Sequence, residues 1–357
     1  MAGSKKGFIK FVVKRVVTVY IIVMVAVYLT IIIANMGGYV DEIMKGQLML
    51  QIRMQLKGNP EYSTLPPAEL EKIAQGIYEE ELKRRGLDQP FFIRSFVYMK
   101  DALTLDLGRA LYMTSEGGSR LVKLIILERL PYTVMLFTTA MLINFTLHLV
   151  IGLYLSRRHG SKIDKLFIAL APTSIIPGWF YGIFLILIFA AYLRVLPYGG
   201  ILDVPPPTDP IARTLNILEH MVLPLSSWII AAFFLGCYGR RTFFLIFSTE
   251  DYVEAAKAKG VPSRRLTTQY ILRPTLPPII TGFALSLIGS WSGAIITETV
   301  FNWPGLGLIA YQAIGAFDTP VILGFTVIYA YLLAATVVIL DILYGLVDPR
   351  IKVMYGR

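Results

Sequence analysis

Six long apolar stretches without Asp, Glu, Lys or Arg read as spans: 16–36, 131–155, 166–192, 221–238, 274–297 and 319–340. The fourth extends past Arg240 and Arg241 to 247, and the sixth past Asp341 to 345. Roughly 20 apolar residues rising 1.5 Å each cross a hydrocarbon layer about 30 Å thick. A backbone in lipid must satisfy its own N–H and C=O groups, so each stretch is expected to be helical. The pattern predicts an all-α integral membrane protein. Its parts are an N-terminal segment 1–15, a first span 16–36, an extramembrane segment 37–129 and a transmembrane core 130–357. The core's spans are expected at 131–155, 166–192, 221–247, 274–297 and 319–345, with a polar insertion at 248–273.

Charge orients the spans, because cytoplasmic loops carry the excess of Lys and Arg. With six spans both termini share a side. On it lie Lys5, Lys6, Lys10, Lys14 and Arg15, then Arg157, Arg158, Lys162 and Lys165, seven more between Arg240 and Arg273, and finally Arg350, Lys352 and Arg357. The two short loops on the other side hold only Arg194 and Arg213, beside Asp203, Asp209, Glu219, Glu298 and Asp318. Both termini are therefore expected in the cytoplasm. The long segment 37–129 is then extracellular: a proline-rich link, GNPEYSTLPPAEL, precedes a helical run from Ala68 to Arg85 that Gly86 would cap. It reads either as a solvated cap or as a docking surface.

Composition narrows the chemistry. Hydrophobic residues make up 55% and charged residues 16% of 357, the latter well below the roughly 25% of a soluble domain. Mean hydropathy is +0.61. The net charge of +10 sits between apolar runs and forms no basic face with interleaved aromatics, so nucleic acid is not an expected partner. Cys237 is the only cysteine, which excludes an intrachain disulfide, a redox pair and a thiolate metal cluster. No Gly-x-x-x-x-Gly-Lys-Ser/Thr loop is present to cradle nucleotide phosphates, and no nucleophile is paired with a base.

The insertion EAAKAKGVPSRRL, Glu254 to Leu266, is punctuated as a short helix. Ser248 with Asp251 can form a capping box, and Glu250, Asp251 and Glu254 load the first turn. Lys257 and Lys259 load the last turn, Gly260 supplies the left-handed C-terminal residue and Pro262 prevents continuation. About three turns are expected. Ala255, Ala256 and Ala258 beside Tyr252 and Val253 give a slim face, suited to a groove on another protein, although an ordinary solvated loop helix has the same spacing.

At this point the residues resemble a known family. DYVEAAKAKGVPSRRLTTQYILRPTLPPII is similar to the EAA loop of ABC importer permeases, in which Glu254, Ala255, Ala256 and Gly260 match the core. Four further stretches resemble the peptide and oligosaccharide branch, first permease subunit: LDQPFFIRSFVYMKDALTLDLGRA, ERLPYTVML, ETVFNWPGLG and DILYGLVDPRIKV. Two departures stand out. Tyr270 to Pro274 take the place of the Ile-x-Leu-Pro run in a shifted register, and 41–65 is longer than the family norm.

The resemblance implies a type I ABC importer permease fold that pairs with a second permease subunit, two ABC ATPases and an extracellular substrate-binding protein. ATP and Mg would be bound by the ATPases, and no cofactor by this chain. It implies the plasma membrane of a prokaryote and peptides as substrate, with oligosaccharides as the alternative. It assigns ATPase coupling to Asp251, Tyr252, Glu254, Ala255, Ala256, Lys259, Gly260 and Arg264. It also implies an external gate or translocation path near Glu298, Trp303, Pro304 and Gly305, with Glu298 pairing to a neighbouring helix or meeting a cationic ligand group.

Within the spans, Pro172 and Pro177 would interrupt the third, while Pro274, Pro277 and Pro278 open the fifth. Gly282, Gly289 and Gly293 offer small faces for close packing. Asn144 and His148, one turn apart, suit interhelical hydrogen bonding. An embedded enzyme would need convergent His, Asp or Ser groups in 41–129, which has no histidine, and a stand-alone secondary transporter or channel would favour buried charges and repeated halves.

Overall fold

The computed structural model describes residues 2–35, 39–60, 62, 65–84, 87–291 and 293–347. Fourteen helices are assigned among them: α1 Ala2–Asn35, α2 Tyr39–Gly58, α3 Pro67–Arg84, α4 Phe91–Leu103, α5 Val122–Arg157, α6 Lys162–Leu170, α7 Gly178–Leu185, α8 Pro210–Ser248, α9 Asp251–Ala258, α10 Ser263–Arg265, α11 Arg273–Ser290, α12 Ile295–Val300, α13 Leu306–Gly315 and α14 Thr319–Val347. A 3₁₀ turn, Ala171–Ile175, follows α6. Two π-helical stretches, Ile186–Tyr192 and Leu266–Leu272, extend α7 and α10.

Four helical stretches are long and apolar enough to cross a membrane: Lys10–Ile33, Val122–Arg157, Pro210–Ser248 and Thr319–Ile339. The expected third span is instead a pair of helices, Lys162–Ile175 and Gly178–Tyr192, bent by 93°. Proline accounts for the bend: Pro172 opens the 3₁₀ turn, and Pro177, at ψ 149°, is extended where a helix would have to continue. The expected fifth span is divided too. α11 stops at Ser290, 18 residues or about 27 Å, and α12 is a separate six-residue helix. Arg273 and three prolines lower the apolarity of α11, so length and composition alone do not bring the described helices to six spans.

Other boundaries shift outward. α8 starts eleven residues before 221, where Asp209 accepts from the backbone N–H of Ala212 at 2.8 Å as N-cap and Pro210 takes the first helical position. α5 starts nine residues before 131 and runs through Pro131. Val122, Ile125 and Ile126 are almost fully buried there, so packing continues the helix where charge alone suggested a boundary. α3 matches the run expected at 68–85, whereas Gly86, parts of the proline-rich link and the C-terminal Arg350, Lys352 and Arg357 lie outside the described residues.

The chain divides into two compact units. One comprises Met1–Val12, Arg129–Gln312 and Thr336–Arg357. Within it α8 packs on α6 and α7, and α12 on α7. Its apolar interior falls into two clusters. Leu136, Phe137, Met221, Leu223, Phe301 and Trp303 form one, and Phe244, Val253, Ala256, Leu266, Ile271 and Ile279 the other. Both clusters include α8 residues, Met221 and Phe244, whose 23-residue separation spans about 35 Å of helix. The clusters thus sit about 35 Å apart along α8.

The other unit comprises Val13–Glu128 and Ala313–Ala335. In it α1 and the first half of α14 share a cluster with α4, through Val23, Val27, Ile31, Ala102 and Val327. α2 and α3 form a pair around Leu48, Ile52, Leu56 and Ala74. Residues 106–121 form a turn region pinned by an antiparallel bridge between Arg109 and Leu121. Asp318, fully buried, accepts from the backbone N–H groups of Leu111, Tyr112 and Met113 at 2.8–3.1 Å.

Candidate functional site: a short exposed helix and a buried glutamate

α9 has eight residues, two turns rather than three. Its N-cap is Glu250, with no side-chain cap, and the capping box does not form. Ser248 still belongs to the last turn of α8, where its hydroxyl donates to Leu245 O at 2.7 Å, so the Ser-x-x-Asp spacing starts before the N-cap, Glu250. The C-terminal signals hold in full. Gly260 has φ +72°, its N–H donates to Lys257 O at 2.9 Å, and Val261 N–H donates to Ala256 O at 3.2 Å. These are the two bonds of a Schellman motif, and Val261 packs in the same cluster as Ala256.

Two residues of α9 face inward: Val253 is fully buried and Ala256 is 5% exposed. They meet Phe244 of α8, Leu266 and Ile271 of the π-helical stretch and Ile279 of α11. Asp251, Tyr252, Glu254, Ala255, Lys257 and Ala258 are exposed, as are Lys259, Gly260 and Arg264 beyond the helix. Lys257 Nζ meets Glu254 Oε1 at 2.6 Å, an exposed pair one turn apart. Partial burial, then the nearby Glu250 carboxylate, raises the Tyr252 phenol above its ordinary range. Arg157, at the end of α5, donates to the hydroxyl of Ser263 and ties the segment after Gly260 to the span beside it. The structure therefore leaves the expected coupling residues exposed on or just beyond a short helix, except Ala256, which it places in the core.

At the cluster around Met221, Glu298 and Trp303 are fully buried. Glu298 Oε2 accepts from the N–H groups of Gly307 and Leu308 at 2.6 and 3.0 Å, at the start of α13, and Oε1 accepts from Thr133 Oγ1 at 3.0 Å. Thr133 in turn accepts from Leu306 N–H at 2.7 Å, and Trp303 Nε1 donates to Tyr132 O at 3.0 Å. A carboxylate at a helix N-terminus is favoured by the dipole as well as by these donors. Glu298 thus binds the start of α13 to α5. Gly305 is required by crowding: a Cβ there would lie 2.4 Å from Thr133 Oγ1 and 2.5 Å from Glu298 Oε2. Pro304 and Gly305 line a cavity of about 290 Å³ whose polar groups include Arg129, Asn302 and Gln312.

Sequence reasoning did not single out Thr133 or the Arg129 cavity. The signal was present, because ERLPYTVML contains Arg129, Tyr132 and Thr133, and the structure brings that stretch against ETVFNWPGLG. Gly282 and Gly289 have open space where a Cβ would stand, so within the described residues they do not mediate close packing. Gly293, at φ +79°, marks the break between α11 and α12. Asn144 Nδ2 donates to Trp228 O of α8 at 3.4 Å, and the His148 ring lies against Gly236 of the same helix.

Comparison with known proteins follows this geometry. The family described as the binding-protein-dependent transport system inner membrane component matches residues 148–353, more than half of the chain. The chain is 30% identical over 291 residues to the oligopeptide transport system permease protein AppB of Bacillus subtilis (strain 168), covering 79% of this chain and 87% of the relative. It is 31% identical over 299 residues to the probable D,D-dipeptide transport system permease protein DdpB of Escherichia coli (strain K12), covering 79% and 86%. It is 32% identical over 299 residues to the di/tripeptide transport system permease protein DppB of Pseudomonas aeruginosa (strain UCBPP-PA14), covering 79% and 87%. The chain belongs to the binding-protein-dependent transport system inner membrane components, the permeases of ABC importers.

Proposed function

We propose that this chain is the first permease subunit of an ATP-driven importer of di- and oligopeptides and that it receives mechanical work through α9. The supporting observation is the division of labour within α9: Val253 and Ala256 anchor it to α8, α11 and the π-helical stretch, while its remaining side chains are exposed. A short helix whose inner face is continuous with two membrane helices passes a displacement on to both. Its outer face, with small Ala255 and Ala258 among charges, suits a groove on a partner. The partners are two ABC ATPases that carry ATP and Mg, a second permease subunit and an extracellular substrate-binding protein.

In this reading the chain crosses a prokaryotic plasma membrane six times with both termini in the cytoplasm. α6 with α7 forms the bent third span, α11 the fifth, and 37–129 is extracellular. ATP-driven closure of the ATPases draws the α9 helices together and favours the outward-facing state, and reopening resets the cycle. Moving a two-state equilibrium from 1:99 to 99:1 takes about 5.5 kcal/mol of differential interaction. Peptides are the substrate class because the matched relatives are named for oligopeptide, D,D-dipeptide and di/tripeptide transport.

The deciding experiment is Glu254→Lys in the reconstituted complex. The side chain is exposed and its pair with Lys257 contributes at most about 1 kcal/mol, so folding and assembly should persist. Binding-protein-stimulated ATP hydrolysis and peptide uptake should fall together. Unchanged coupling in the assembled variant overturns the assignment of α9.

A further inference from the structure

We infer that the second unit holds a bilayer phospholipid, its acyl chains in a cavity of about 1030 Å³ and its phosphate beside Arg109 and Arg120. The volume lies at the top of the roughly 300–1,000 Å³ range of ligand sites, large enough for a long flexible molecule. The occupant follows from depth. Val27 and Ile31 line the cavity near the end of the apolar stretch Lys10–Ile33, and Leu323 and Val327 line it near the start of the apolar stretch Thr319–Ile339. Late residues of α1 and early residues of α14 line the same cavity, so α1 leaves the hydrocarbon layer where α14 enters it, and Val27 and Val327 belong to one apolar cluster. The apolar wall therefore lies in one leaflet, where the surrounding medium is lipid rather than water.

The polar end is fixed independently. Asp318 stands one residue before α14 and holds the N–H groups of Leu111, Tyr112 and Met113, so the 106–121 turn region is clamped at the level where that helix enters the layer. Ala110 N–H donates to Arg120 O at 2.7 Å, which keeps Arg109 and Arg120 on adjacent strands of that turn. Both arginines line the cavity, at headgroup level, where a guanidinium matches phosphate by bidentate hydrogen bonding. Arg84, Asp101 and Asp106 also line it, so three cations face two anions, and the single excess positive charge favours one phosphodiester over a multiply charged ligand. Acyl chains gain no hydrophobic energy on leaving the bilayer, so retention rests on the arginines and on filling the space. The inference needs only the membrane placement of α1 and α14 and stands whatever solute is carried.

The test uses the full-length chain in its complex, in nanodiscs containing photoactivatable phosphatidylglycerol or phosphatidylcholine with the crosslinking group on the acyl chain. Crosslinks to 97–102 and 319–327 are expected with phosphatidylglycerol. Leu323→Trp on α14 and Gln51→Trp on α2 each add bulk to the cavity lining, and either one that folds should abolish those crosslinks. Arg109→Gln with Arg120→Gln should lower co-purified anionic lipid, read by mass spectrometry, by about tenfold or more. Crosslinks that persist in the filled variants, that fall only along the exposed face of α1, or that ignore the arginine substitutions overturn the inference. So does a peptide recovered from the cavity in place of lipid.

Discussion

Arg241 grips Asp164 with two parallel hydrogen bonds, Nε to Oδ1 at 2.8 Å and Nη2 to Oδ2 at 2.7 Å, and both side chains are buried. The pair locks the start of α6 to α8, and Gly160 N–H adds a third donor to Asp164 at 2.8 Å. Such a bidentate contact fixes direction as well as distance, so it sets the angle at which the bent third helix pair begins. Removing one partner strands a buried charge: Arg241→Met should destabilise the protein by about 3–5 kcal/mol, and Asp164→Leu in the same chain should restore most of the loss. Thermal unfolding in detergent measures both.

Glu298→Ala would leave two backbone N–H groups of α13 and the Thr133 hydroxyl without their acceptor. Each buried orphan costs about 1–3 kcal/mol, so a large drop in melting temperature is expected. Glu298→Gln keeps the shape and one acceptor oxygen, enough for the Gly307 and Leu308 N–H groups, but puts an NH2 donor where Oε1 faces Thr133, and should lose less. A substitution Gly305→Ala should behave like Glu298→Ala, since it collides with the same two side chains.

Gly260→Ala forces a Cβ into a left-handed residue and should cost about 1–2 kcal/mol of local stability, fraying the end of α9. Gly260→Pro also removes the N–H that bonds Lys257 O, and is incompatible with the observed φ. Coupled ATPase activity should therefore fall in the order wild type, Ala, Pro, while membrane insertion is unchanged.

Asp318→Ala should release the turn at Leu111–Met113. Hydrogen exchange at those three amides should speed up by at least about tenfold, with amides of α8 as the internal reference.

Lys162→Cys, exposed at the start of α6, should be labelled by an impermeant maleimide only from the cytoplasmic side. Cys237 is buried and gives no background. Labelling from outside would reverse the proposed orientation.

What was legible in the sequence depended on range. The end of α9 could be read because Gly260 and Pro262 act within five residues of the bonds they terminate. The capping box could not, because nothing local says that α8 runs on through Ser248. The start of α8 carried a plain Asp209-Pro210 signal that was masked by attention to uncharged length, since Arg213 and Glu219 interrupt the apolar pattern. Pro172 and Pro177 marked an interruption in the third span, but not its 93° angle. The glutamate network and the Asp318 clamp were invisible for a different reason. Thr133 and Glu298 are 165 residues apart and Asp318 and Leu111 are 207 apart, so only the packed helices make them neighbours.

α9 commits two of its eight residues, Val253 and Ala256, to the interior of its own chain. The other six are exposed, Tyr252 only in part, so exchanging them disturbs little of the chain's own core. Screens that report only on expression or thermal survival are therefore blind to substitutions there. In the proposed coupling role those six positions are constrained by the ATPase surface they would meet, so a catalogue of tolerated replacements along them would trace the outline of that surface.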